Sequence, residues 1–557
     1  MFKYITFSVL FVFSTIFVSF GQVQVLHPTE IISAINHDLS IPLREMEELP
    51  LTPTPWVDGI IPLRDIPTTF NNEYENDPAL QLFNGTDGGG NILENFDGVG
   101  AQGFAPPDVS GDVGPNHYMQ MVNVRYQIWD KSGNSLLGPF NLGTIWAGFP
   151  GPWQSSLNDG DPIVLYDDLA DRWVATQFSL PSGGTYLLVA VSQTPDPTGA
   201  WYRYGFQTAQ FPDYPKFGVW PDGYYFSANR FAGGFQGTYA GVMERDKMLV
   251  GDPAQMVIFS VPSSMSASLL PADCDGTTPP PSGAPNYFVQ AFAGGLDVFE
   301  LQVDWANPGS STFTGPLAIT TSPYSPVNGI PQMGTSTLLD DLSFRLMQRL
   351  QYRNFGTHET MVVCHTINSG GGRAGMRWYE LRNPGGWSLY QEGTYSPADN
   401  IHRWMGSIAM NASGEIGLGY SASSSTIFPD IRFTGRKDGD PLGVMTFTEE
   451  VIFSSSGSQN GLSRWGDYTT MSVDPDGQTF WYTNEYQPFT GSFNWRTRIA
   501  SFNFDPPPPC SVGAAFNPNP PAGAINIPLN EPTLSWENGL DATEIEVIFD
   551  GATIYSG

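Results

Sequence analysis

The side chains best suited to chemistry stand at the heads of five repeated phrases. These are APPDVSGDVGPNHYMQMVN (105–123), DGDPIVLYDDLADRWVATQF (159–178), FPDYPKFGVWPDGYYFSANRF (211–231), HRWMGSIAMNASGEIGLGYS (402–421) and SRWGDYTTMSVDPDGQTFWYTNEY (463–486). The heads carry Asp112, Asp161, Lys216, Arg403, Arg464 and Asp467 beside Tyr214, Trp404, Trp465 and Tyr468. Brought together, such charged groups between aromatic walls suit stacking on sugar rings or on peptide side chains. The same residue types also serve as ion pairs between repeats, with the aromatics filling a core. Two carboxylates about 5–10 Å apart in an open pocket would instead mark glycosidase chemistry.

Acidic turns offer a second chemistry. DVSGD (108–112), DKSGN (130–134) and DPDG (474–477) cluster oxygen ligands of the kind Ca²⁺ takes, which nominates Asp108, Asp112, Asp474 and Asp476. None fits the twelve-residue EF-hand loop, and the plainer reading is a hairpin with Asp and Gly at turn positions. No other cofactor is expected. Ser472, Asp474, Gly477, Thr479 and Phe480 approach the Asp-box of sialidase propellers, with one extra residue between Asp and Gly. Arg464, Arg498, Glu485 and Tyr486 are the types a sialidase uses, but their spacing does not assemble them. His358-Glu359 and His365 have the spacing HE-x5-H, whereas a zincin helix needs H-E-x-x-H. In a strand these histidines face opposite sides. No G-x-S-x-G elbow and no phosphate-binding glycine loop occurs.

The elements that must position these residues read as strands. Each phrase gives an apolar strand, a turn (GPN, DDLAD, PDG, NASGE or DPDG) and a second strand. Gly, Asn and Asp tolerate the positive φ of tight hairpin turns. Hairpins repeated from 101 to 504 almost without helical periodicity predict an all-β fold, a β-propeller of about six to eight blades. In that fold the innermost strands line the axis, which would gather the phrase heads at one mouth. The segment TSTLLDDLSFRLMQRL (335–350) reads either as a helix or as a loop lying across the body.

The first 22 residues have Lys3, an apolar run from Ile5 to Phe20 and small or polar residues after it, the layout of a secretory signal peptide. Residues 23–100 read as a lead-in, partly irregular, with Pro clusters and one helical-looking piece, EIISAINHDL. A Pro-rich linker at 505–518 precedes residues 519–557, whose PTLSW and TEIEVIFDG resemble the opening strands of a fibronectin type III or immunoglobulin-like module. That module is expected to be truncated, with the chain ending mid-domain.

Asp and Glu number 55 against 24 Lys and Arg, a formal net charge of −31. This balance disfavours nucleic acid and anionic lipid as partners. With 40% hydrophobic and only 14% charged residues, the chain is not a disordered polyacid. Cys274, Cys364 and Cys510 allow one bridge at most, so the core must carry the fold. After signal removal no segment is long enough to span a membrane.

The phrases DVSGDVGPNHYMQMVN, DPIVLYDDLADRWVATQF, RLMQRLQYRNFGTHETMVVCHT, RWMGSIAMNASGEIGLGYS and RWGDYTTMSVDPDGQTFWYTNEY resemble a family of large secreted bacterial proteins. The resemblance covers nearly all of 100–504. It implies a multi-domain protein with sandwich or adhesive modules behind the repeat body, and export by a route of the type IX kind. It transfers no catalytic residue. The expected function is therefore a non-catalytic recognition or adhesion module on the bacterial surface or outside the cell. It would bind a glycan or protein at the mouth of a monomeric propeller. Extracellular glycoside hydrolysis or polysaccharide lysis by channel carboxylates is the second reading, and a spacer for further modules the third.

Overall fold

The computed structural model describes residues 23–51, 77–292, 294–343 and 345–504, together with the backbone of four short strands between 516 and 556. The stretch read as a signal peptide, Cys510 and most of the expected linker lie outside the described residues. Among the described residues no helix is long and apolar enough to cross a membrane. The chain divides into two compact units, 1–504 and 505–557.

In the first unit, apolar β-branched and aromatic runs pair with their sequence neighbours as antiparallel meanders. Each meander begins with one inner strand, and among the described residues seven such strands recur: Ser110–Val113, Ile163–Asp167, Phe211–Trp220, Leu270–Cys274, Leu350–Asn354, His402–Met410 and Thr470–Val473. Each touches the next in this order, and Thr470–Val473 touches Ser110–Val113, which closes the ring of a β-propeller. Leu270–Cys274 and Leu350–Asn354 even pair in parallel, Asp273 opposite Gln351. Packing here is close: a Cβ on Gly218 would come within 2.4 Å of the Ala272 carbonyl oxygen.

The lead-in corrects one expectation. EIISAINHDL forms two strands, not a helix: Glu30–Ser33 pairs with Gln255–Pro262, and Asn36–Leu39 with Trp201–Thr208. Gln24–Leu26 adds to Thr312–Thr320 and Leu80–Gln81 to Ser388–Tyr395. Asn91–Gly100, a long strand inside the same stretch, pairs with Arg496–Asn503 and completes the last meander. The lead-in thus covers the outer edges of five meanders, which satisfies backbone groups that open edges would expose. Local helix periodicity lost to these unpaired edges.

Residues 321–349 run as a largely irregular connection. The loop reading of 335–350 is the one found, anchored by Asp340 N–H donating to Ser463 O and by Gln332 Nε2 donating to Gln459 O. In the second unit, Phe516–Asn519 pairs with Ser535–Glu537, and Glu546–Phe549 with Ala552–Ser556. The linker expected to reach residue 518 therefore gives way to a strand at Phe516.

Candidate functional site

A backbone device repeats around the ring. Asp108, Asp161, Tyr214, Ser268, Met405 and Asp467 all have positive φ, between 44° and 61°. Each stands just before an inner strand or in a bulge within one, as at Asp213/Lys216 and Trp404/Ser407. Non-glycine residues held in this region cost about 1–3 kcal/mol each and gather where surroundings over-determine them. Around the closed ring, three of these positions on consecutive meanders are aspartates: Asp467, Asp108 and Asp161. Asp213 precedes the strained Tyr214 on the next meander.

These positions meet at one end of the axis. Asp108, with 2% exposure, receives a short hydrogen bond from Asn123 Nδ2, and its N–H donates to Gly466 O at 3.1 Å. Its Oδ1 has no donor among the described residues, and the carboxyl instead bonds to Asp161. Burial, then the charges of Asp161 and Asp467, push the Asp108 carboxyl well up. A proton held by Asp108 and shared with Asp161 satisfies both groups. Half-buried Asp161 also lies 3.2 Å from the Tyr468 hydroxyl, and burial raises it despite the counter-pull of Asp108's bond and Lys216. Asp213, half-buried, is raised by burial and by Asp161 and Asp467.

Cations answer these acids only in part. Lys216, 1% exposed, sits with Nζ 2.9 Å from the Tyr214 ring centroid and 3.8 Å from that of Tyr468. Burial lowers its ammonium well below the ordinary range. Arg464 reaches Asp467 at 2.5 Å and Asp340 at 3.2 Å. Arg345 lies over Tyr214, 5.1 Å from its ring. Glu485, wholly buried, accepts Gly466 N–H at 2.5 Å, while among the described residues its Oε2 and Asp467 Oδ1 lack donors. Among the described residues six acids, Asp340 included, face three bases here, so buried acceptors are left over, and that surplus on strained backbone makes this end the candidate site.

Not every phrase head belongs to it. Asp112 lies four residues beyond Asp108, where it accepts Val113 N–H and Tyr166 N–H, both at 2.8 Å. Arg403 closes a separate knot with Glu449 at 2.6 Å and Asp399 at 2.8 Å. Trp404 and Trp465 are wholly buried, with rings 5.8 Å apart, and are core instead of wall. Each residue of extended strand advances the chain by about 3.3 Å, so closeness in a phrase does not bring side chains together. The nominated Ca²⁺ ligands separate likewise. Asp474 binds Lys131 at 2.8 Å and Trp481 Nε1 at 3.0 Å, and Asp476 accepts Gln478 and Thr479 N–H within its own turn. Among the described residues no group of three or more His, Cys, Asp or Glu is arranged to hold a metal ion.

The sequence reading missed Asp213, Arg345 and Asp340. Asp213 was legible as the residue before the head Tyr214; Arg345 and Asp340 come from the connection across the mouth and had no repeat to mark them. His365 is structural: buried, 3.0 Å from the Tyr379 hydroxyl, its imidazole pushed down to about 3 by burial.

No family model matches the sequence, and no curated protein matches it. Solved structures similar to it include the WD40 domain of SCAP from fission yeast, at 10% identity and TM-score 0.31, covering 70% of this chain and 82% of that one. An α-L-arabinofuranosidase from Lactobacillus brevis follows at 12% identity and TM-score 0.28, covering 64% and 95%. An endo-arabinanase from Bacillus licheniformis has 9% identity and TM-score 0.26, covering 74% and 98%. The matches are mainly glycoside hydrolases, which runs against the expected non-catalytic recognition module, and that expectation is withdrawn. At these identities and TM-scores the matches carry no argument about this chain's own reaction, which has to come from its side chains.

Proposed function

We propose that the protein is an exported bacterial enzyme that cleaves glycosidic bonds of an extracellular polysaccharide at the axial mouth. The observation that carries this reading is the surplus of carboxylates on strained backbone, with Asp161 and Asp213 half-buried beside the closed Asp108. Glycosidic cleavage needs one carboxyl that holds a proton and one carboxylate that does not. Asp213 supplies the acid, because its surroundings oppose ionisation. Asp161 supplies the base or nucleophile, its charge shared with the Asp108 proton and the Tyr468 hydroxyl. Arg464 and Lys216 steady that charge, and Tyr214 and Tyr468 hold Lys216 in place. The signal-like N-terminus, the multi-domain resemblance and the module-like tail support export, with a monomeric propeller acting on a glycan outside the cell.

The test incubates the secreted chain with a panel of neutral and acidic polysaccharides and measures new reducing ends and unsaturated products. Hydrolysis with loss of about 10²–10⁴-fold in kcat/KM for Asp213→Asn is the expected result. Release of reducing ends from no substrate, or full activity of Asp213→Asn, overturns the reading. An unsaturated product would replace hydrolysis with elimination at the same mouth.

A further inference from the structure

A polar cleft lies away from the axis, where the fifth and sixth meanders meet. It encloses about 450 Å³, within the range of about 300–1,000 Å³ typical of small-ligand sites. One wall comes from the strands Ala374–Asn383 and Ser388–Tyr395, the other from the turn after Ile427–Arg436. We infer that this cleft is a carbohydrate-holding site that takes a short stretch of neutral polysaccharide, separate from the mouth and independent of its chemistry.

The cleft is built and held. Glu380, only 1% exposed, accepts Arg382 Nε at 2.5 Å through one oxygen and Gln391 Nε2 at 2.5 Å through the other. Gln391 Oε1 in turn accepts Gly443 N–H at 3.0 Å, which ties the two walls together. Arg436 donates to Pro441 O at 2.8 Å and to Asp440 O at 2.9 Å, and so fixes the turn that forms the second wall. These bonds set the cleft's shape without any occupant.

Its lining points to sugar. The Tyr390 ring is 39% exposed, and the Arg382 guanidinium stands 3.5 Å from its centroid. Leu442, 57% exposed, adds aliphatic surface. An aromatic ring flanked by a guanidinium and carboxylates matches a sugar unit, whose C–H face is apolar and whose rim is hydroxyl. Arg382 and Arg436 nearly balance Glu380, Asp438 and Asp440, so the cleft lacks the concentrated positive charge that a phosphate or uronate would need. The formal net charge of −31 further disfavours an anionic chain.

Native electrophoresis of the full chain through gels containing xylan, galactan or hydroxyethyl cellulose tests this. At least one of these neutral polymers is expected to retard the protein. Tyr390→Ala and Leu442→Asp should each weaken retention roughly tenfold, while Asp213→Asn retains it. Thermal unfolding of each variant checks that it is folded. No retardation of the native chain by any of the three polymers overturns the inference. So does retardation that survives both cleft substitutions, or retention lost in Asp213→Asn alone. Because the readout is binding and not cleavage, an inactive mouth leaves the result unaffected.

Discussion

Asp108 stands just before the inner strand Ser110–Val113, on which Asp112 lies, and Arg345 and Arg349 are likewise four residues apart, in the irregular connection that leads into Leu350–Asn354. The first of each pair faces the mouth described above; the second belongs to the opposite end. There Arg349 is clasped by Asp273 at 2.6 Å and by a short bond to Asp275, and Gln351 bonds Asp275 at 2.6 Å. Arg353 donates to Met410 O at 3.0 Å, and Asp168 accepts Gly276 N–H at 2.6 Å. Every one of these groups has a direct partner, and Arg349 and Asp273 are almost wholly buried. The mouth has charges of the same kinds, but there, among the described residues, Asp467 Oδ1 and Glu485 Oε2 have no donor, and Asp108 is fully satisfied only by a proton shared with Asp161. A completed network closes the propeller, whereas an incomplete one is where a ligand's donors fit.

The contrast is broken or sharpened most strongly by removing one arginine from each end. Arg349→Met leaves two buried aspartates unpaired and is expected to destabilise by about 3–5 kcal/mol, with turnover per folded molecule kept. Arg464→Met removes a partly exposed partner of Asp467 and Asp340 and should weaken turnover more than stability. Denaturant melts alongside initial rates read both; equal destabilisation with unchanged rates would erase the distinction.

A smaller effect concerns pH. Burial pushes the Asp112 carboxyl up to about 7, against the lowering pull of Arg349. Its folded form therefore holds a proton that the unfolded chain has released above about 3.9. Stability from this group is present in acid and falls as pH rises from about 4 through about 7. Asp112→Asn should flatten that decline in Tm, while Asp213→Asn should alter the pH–rate profile. At the mouth the direction is the same: the Asp213 acid is lost as pH rises, so activity falls on the alkaline side. A Tm decline unchanged in Asp112→Asn would show that the far end does not titrate.

The smallest expected effect is that of Ca²⁺. Asp474 already holds Lys131 and Trp481, and Asp476 caps its own turn. Adding Ca²⁺ or a chelator should move Tm by less than about 1 °C. A rise that grows with Ca²⁺ concentration would instead place a cation among these acids.

The strand-turn-strand texture and the all-β class were legible in the residues themselves, because tight turns such as DDLAD, PDG and NASGE need local chemistry that sequence displays. The heads Asp161, Tyr214, Lys216, Arg464, Asp467 and Tyr468 were legible too, since repetition puts equivalent positions at one end of a ring. Asp112, Arg403, Trp404 and Trp465 were misplaced for a physical reason. A strand advances about 3.3 Å per residue and turns successive side chains to opposite faces, so a neighbour in the phrase is not a neighbour at the axis, while Trp465, ahead of its strand, packs against Trp404 in the core. Likewise, helical spacing in 30–39 was overridden by sheet edges that lay more than 150 residues away in sequence. Sequence alone therefore determined what each segment is. Only the closed ring decided which carboxyls are buried together: burial raises Asp108, Asp161 and Asp213, neighbouring carboxylates add to that rise at Asp108 and Asp213, and at Asp161 the neighbours pull the other way.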